Sequence, residues 1–227
     1  MSLRDTEVQK FNKSLNLLLS HHDELKLAIH NKKNEASLGS ELVTQFILSV
    51  SVLWQSFVHD LFISYILMDD SRAMASINTR VSQSIEDKFG VAVAKNIRFE
   101  TTKSLSRAKI IDLLDPKGWN ISVTSSAQLS KKANELLVSR YAIKFSLDSG
   151  NFEFFDYLVT LRNFLSHQSK GARKKFIDTI NGLNENINHP LKANFKQIGP
   201  YLKATVNNNV TRASFIVHRL QGLSNNL

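Results

Sequence analysis

The pattern that most limits what this chain can fold into lies between residues 40 and 68. Leu42, Phe46, Val50, Leu53, Trp54, Phe57 and Leu61 recur at the three- and four-residue spacing of one helical stripe. Val43, Ile47 and Val58 widen that stripe. The segment therefore predicts the longest helix of the chain, capped by Ser37 or Ser40, running to about Met68 and buried on more than one side. A spine of this kind needs other amphipathic helices to cover it. They are predicted at residues 5–30, 79–94 (weakened by Gly90), 104–114 (stopped by Pro116), 125–144, 151–175, 172–186 and 206–223, the last turn of 151–175 overlapping the next helix. Residues 69–77 read as a turn region and 224–227 as a frayed tail. With no strand alternation and no internal repeat, the expectation is an all-α helical bundle with additional peripheral helices. It forms a single domain over residues 1–227, the part after about 188 being a peripheral C-terminal extension.

Residues 151–175, NFEFFDYLVTLRNFLSHQSKGARKK, carry the candidate chemistry. On a helical wheel Phe154, Leu158, Leu161 and Leu165 form one stripe, widened by Phe155 and Val159. Asn163 and His167, one turn apart, share the face pointing away from it. Arg162 falls at the stripe's edge, about 140° from His167. A basic run follows at Lys170, Arg173, Lys174 and Lys175. These residues sit in a chain of net charge +9, with 29 basic against 20 acidic side chains, a balance that favours polyanions such as nucleic acid.

The run Arg162-Asn163-Phe164-Leu165-Ser166-His167 resembles the R-(N/D/H)-x-x-x-H motif of the HEPN superfamily, in its RiboL-PSP and MAE-like branch. Two further stretches are similar to that branch. They are the tryptophan-containing helix LSVSVLWQSFVHDLFISYIL and the segment DPKGWNI at residues 115–121. The resemblance implies a HEPN-like bundle and a metal-independent endoribonuclease, toxin-like or defence-related, in which two chains meet motif to motif. Arg162, Asn163 and His167 would be its catalytic residues, and Lys170, Arg173, Lys174 and Lys175 its RNA contacts. The acidic residue often found near the tryptophan in that family is here Gln55. The alternative implied by the same fold is a non-catalytic module that binds RNA, a nucleotide or a partner protein, and an antitoxin or regulatory protein is a further expected partner.

The chemistry suits those residue types. RNA supplies its own nucleophile, the 2′-hydroxyl, so cleavage needs a base, an acid and positive charge but no metal or other cofactor. Histidine serves the proton steps. The arginine fork binds two phosphate oxygens. Asn163 can orient the ring of His167 or bond the ribose. A single histidine per chain is short of two proton carriers, and pairing two chains about a twofold axis removes the shortage. Phe164 is expected in that seam.

Other chemistries find little support in the residues. The chain has no cysteine, which excludes disulfides, thiolate zinc sites and cysteine nucleophiles, and fits a reducing cytoplasm. His21-His22-Asp23-Glu24 has no metal-ligand spacing and reads as a solvated patch. Phosphate-loop, dinucleotide, HExxH and G-x-S-x-G signatures are absent. Arg4, Asp5 and Glu7 stand where a signal peptide needs an apolar core, and Gln55, His59 and Asp60 interrupt the best membrane candidate, so no membrane partner is expected. Trp119 reads as a plug of its loop onto the core rather than a platform for a base.

Overall fold

Two long helices set the frame. Helix α1, Leu3–Ile29, packs along α2, Glu35–Met68, which also touches α5, α8, α10 and α11. The structure is a computed structural model and describes residues 2–96, 105–114, 123–183, 189–207 and 209–227. Of these, 81% are helical and 2% in strands, so the protein is all-α. The elements after α2 are α3 (Ser71–Phe89), α4 (Val91–Asn96), α5 (Arg107–Leu114), α6 (Ser126–Leu136), α7 (Ser139–Ala142) with a 3₁₀ turn at Ile143–Phe145, α8 (Ser149–His167), α9 (Lys170–Gly182), α10 (Ile198–Lys203), a hairpin of β1 (Thr205–Asn207) and β2 (Val210–Thr211), and α11 (Arg212–Asn226).

The stripe read on α2 is its buried face, and from Leu61 to Ile66 every side chain is buried, so the helix is enclosed on all sides there. Its apolarity is enough by length and composition to cross a membrane, with a mean hydropathy of 1.5 over its best window, but 61% of that window is buried in this fold. The core thus accounts for most of the greasy surface. The helix starts at Glu35, earlier than either serine predicted as its cap. Ser40 lies inside it, donating to the Ala36 carbonyl at 2.9 Å, while Glu35 closes the turn from α1 by accepting the Asn31 N–H at 2.9 Å. Glycine is required at 199, because a Cβ there would come to 2.9 Å from the Ser40 backbone where α10 crosses α2.

Several boundaries differ from the sequence reading. Residues 71–77, expected as turn, are the first turns of α3. Asp69 restarts the helix by accepting the Ser71 hydroxyl at 2.7 Å, a bond that holds its carboxyl below the usual range. Gly90, at φ 85°, separates α3 from α4 rather than weakening one helix. Ser125 caps α6 by accepting the Gln128 N–H at 3.2 Å, and the helix stops at Leu136 instead of continuing to 144. The short hairpin was not foreseen.

The segment after 188, expected to be peripheral, supplies core residues instead: Leu191, Tyr201, Leu202, Ile216, Leu220 and Leu223 belong to the same apolar cluster as α2 and α8. The tail is not frayed. Leu227 is buried, its carbonyl accepts from the Tyr65 hydroxyl, and the Arg4 guanidinium donates to the Asn225 carbonyl at 2.5 Å. Between α8 and this segment lies a buried polar link in which the Tyr201 hydroxyl donates to the Leu191 carbonyl at 2.6 Å and meets the Tyr157 hydroxyl at 3.2 Å. Burial pushes the Tyr201 hydroxyl up to about 12 and Tyr157 well above the usual range.

Candidate functional site

Helix α8 is set in place at both ends. Asp148 caps it by accepting the Asn151 N–H at 2.8 Å, and Gln168, in the left-handed region at φ 46°, ends it directly after His167. Its inward face holds Phe154, Phe155, Leu158, Val159, Leu161 and Leu165 as the wheel predicted. Asp156 adds a polar anchor, accepting the Ser126 N–H at 2.6 Å and the Ser126 hydroxyl at 2.9 Å, which fastens the start of α6 to α8. The outward residues of α8 are therefore carried on a helix held along its length.

Arg162 and Asn163 are brought together. The Arg162 Nη1 donates to Asn163 Oδ1 at 3.1 Å, which swings the guanidinium from the stripe's edge round to the asparagine's side. Both residues line an open cleft of about 250 Å³ between α2 and α8. The α2 wall consists of Ser51, Val52, Trp54, Gln55, Ser56 and Val58. Phe155, Leu158 and Val159 form the opposite wall, and Val123 with Thr124 forms one end. Among the described residues, Arg162 is the only charged one lining it. Among the described residues, two buried donors on its lining residues have no acceptor, the indole Nε1 of Trp54 and the Nε of Arg162.

His167 is exposed on the last turn of α8 and does not line the cleft. Among the described residues Asn163 does not bond its ring; the asparagine oxygen accepts from Arg162. Phe164 is partly buried and packs against its own chain, 5.6 Å from the Phe176 ring and 5.8 Å from Phe195.

The basic run lies in the first turns of α9, which begins at Lys170 rather than at 172. The cap is Ser169, whose hydroxyl accepts the Ala172 N–H at 3.1 Å. Lys170, Arg173, Lys174 and Lys175 are all exposed. No acidic residue occupies that first turn, so the cations add to the positive end of the helix dipole, an arrangement unfavourable in isolation and favourable toward phosphate. Arg173 is partly committed already, donating to the Lys196 carbonyl at 3.1 Å.

The polar residues of α2 divide by role. Gln55 faces the cleft alongside Arg162 and Asn163. Asp60 is a bridge, since it accepts from Arg107 on α5, which also reaches Glu7 of α1 at 3.6 Å. His59 is buried. His22 packs its ring 4.4 Å from Phe46, and among the described residues no group of three His, Cys, Asp or Glu is placed to hold a metal ion. Trp119 and the DPKGWNI segment lie outside the described residues. The sequence marked Arg162, Asn163 and Gln55 but not the contribution of Thr124 or the two unpaired donors, for which no local pattern exists. No family model, curated protein or solved structure matches the chain.

Proposed function

We propose that the protein is a metal-independent endoribonuclease of the HEPN type, acting as a dimer. The observation that carries this reading is the Arg162–Asn163 pair, hydrogen-bonded on the wall of an open cleft, one turn before an exposed histidine and an exposed cationic helix start. That arrangement offers a fork for the phosphate, a proton carrier free to meet solvent or a second chain, and lysines to hold the flanking strand. In the reaction His167 of one copy takes the 2′-hydroxyl proton. The 2′-oxygen then bonds to phosphorus as the bond from phosphorus to the 5′-oxygen breaks, and His167 of the second copy protonates the departing 5′-oxygen. Arg162 bears the charge gathering on the non-bridging oxygens. The products are a 2′,3′-cyclic phosphate and a 5′-hydroxyl.

The test is cleavage of an end-labelled RNA in EDTA. Activity should survive the chelator, leave cyclic-phosphate ends and fall about 10²- to 10⁴-fold in His167→Ala with an unchanged melting temperature. Chelator-sensitive cleavage, or an undiminished rate in that variant, removes the proposal. Tight RNA binding with no cyclic-phosphate product points instead to a non-catalytic binding module.

A further inference from the structure

The last stretch of the chain brings a second basic strip against the first. From Asn186 to Leu227 there are five Lys or Arg and no Asp or Glu. Residues 157–177, which carry Arg162 and the basic run of α9, are likewise free of acid. The fold lays the two stretches side by side. Lys192 donates to the Leu183 carbonyl, just past the end of α9, at 3.3 Å. The Arg173 Nη2 donates to the Lys196 carbonyl at 3.1 Å, so residues 192–196 run antiparallel along the helix. Arg173 also lies over the Phe195 ring at 5.7 Å, and Phe176 backs that ring at 5.4 Å. An exposed guanidinium is thus held by a carbonyl and an aromatic face of its own chain. We propose that Lys196, Arg173, Lys170 and Lys174 form a binding track for single-stranded RNA; that the strand it holds is the one being cut rests on the nuclease reading.

Charge says where the track runs. Arg80, Arg107 and Arg140 are each paired with a carboxylate, whereas among the described residues none of the four track cations has an ion pair. Cations left uncompensated by their own chain are the ones that displace counterions from a phosphate backbone. Round the axis of α9, Lys170 and Lys174 stand about 60° and about 100° from Arg173, in the same direction. Lys175 stands about 160° away and falls outside the track. The guanidinium says why the strand is single. Arginine planes stack on unpaired bases, and a duplex keeps its bases stacked on one another. Charge alone would favour the duplex, whose phosphates are more densely spaced. A preference for the single strand therefore has to come from Arg173.

The test is fluorescence anisotropy of the full-length protein with a labelled 2′-O-methyl oligouridylate of about twelve nucleotides, and with the duplex it forms with oligoadenylate. The methylated strand has no free 2′-hydroxyl and is not cut. It should bind at least about fivefold more tightly than the duplex. Arg173→Lys, which keeps the charge but loses the planar fork, should erase that preference. Lys196→Ala should weaken single-strand binding about fivefold near 0.1 M salt and reduce the salt slope by about 0.7, the share of one phosphate. Lys175→Ala should change the affinity by less than about twofold and leave the slope as it was. Lys196 and Lys175 are both exposed, so neither substitution should move the melting temperature, and this pair carries the test where Arg173→Lys disturbs the fold. Equal or tighter binding of the duplex, a preference that persists in Arg173→Lys, an unchanged slope in Lys196→Ala, or an equal loss in Lys175→Ala overturns the inference. Cleavage to cyclic-phosphate ends, with Lys196→Ala binding as tightly as the parent, overturns it while the nuclease reading stands. The expected binding pattern without any cleavage of unmethylated RNA upholds the track and removes the nuclease.

Discussion

Helices α3 and α8 are both 19 residues long, yet the fold treats them in opposite ways. Helix α8 buries Phe154, Phe155, Tyr157, Leu158, Val159, Thr160, Leu161 and Leu165, and touches α2, α6 and α9. Helix α3 buries only Ala73, meets α6 near its start and continues into α4 with Val81, Phe89, Val91 and Val93 exposed. A site that must hold reacting groups to a fraction of an ångström belongs on an element whose backbone is fixed by packing on several sides. The proposed site lies on such an element, and the loosely held pair α3–α4 carries none of it.

The largest effect that tests this contrast is on stability. Leu161 has no exposed surface and sits next to Arg162 in sequence. Leu161→Ala should cost about 2–5 kcal/mol in urea denaturation, since the rigid surroundings cannot collapse onto the lost side chain. A loss under about 1 kcal/mol would mean that α8 is no firmer than α3, and the reason for placing the site on it would go.

Next in size is an effect of pH. Tyr157 ties α8 to Tyr201 in the C-terminal segment, and burial raises Tyr201 to about 12 from an unfolded value near 10. A folded pKa above the unfolded one gives stability that is fully present below pH 10. That stability is lost as pH climbs from about 10 to about 12, by on the order of 2 kcal/mol. Denaturation midpoints measured across that range should fall, and Tyr201→Phe should flatten the fall. An unchanged slope in the variant would take the tyrosine pair out of the account of how α8 is held.

A smaller effect is expected at the helix start. Asp148→Ala removes the side chain that accepts the Asn151 N–H, and should lower stability by about 1 kcal/mol. Asn151 also takes a hydrogen bond from Arg219 of α11 at 2.7 Å, so a larger loss would show that the cap and that tie act as one unit.

What could be read in advance follows the same division. The inward faces of α2 and α8 were legible because a strong helical period, once buried, leaves its mark on every third or fourth residue. The start of α3 was not, since Asp70-Ser71-Arg72 looks like a turn and only Asp69 reaching Ser71 makes it a helix start. Strands of three and two residues are too short to show alternation. The burial of Leu227 depends on Tyr65, and no local window joins residues so far apart. At the site, the outward placement of Asn163 and His167 could be drawn from a wheel. The turn of Arg162 toward Asn163, and the cleft itself, depend on how α2 lies against α8, which is a property of the packed molecule.

The smallest expected effect is the sharpest test of the contrast. Phe89 is as apolar as anything in the core, but it is 67% exposed at the end of α3, so Phe89→Ser removes little buried surface. Its cost should stay within about 0.5 kcal/mol. Amides of residues 71–96 should exchange with deuterium well before those of α8, because a helix with one buried side chain opens without disturbing the core. A cost for Phe89→Ser approaching that of Leu161→Ala, or protection of α3 equal to that of α8, would mean that the exposed apolar end is covered in solution. The two helices would then differ in what covers them, one by its own chain and the other by a second molecule, and firmness alone would no longer explain why the site belongs to α8.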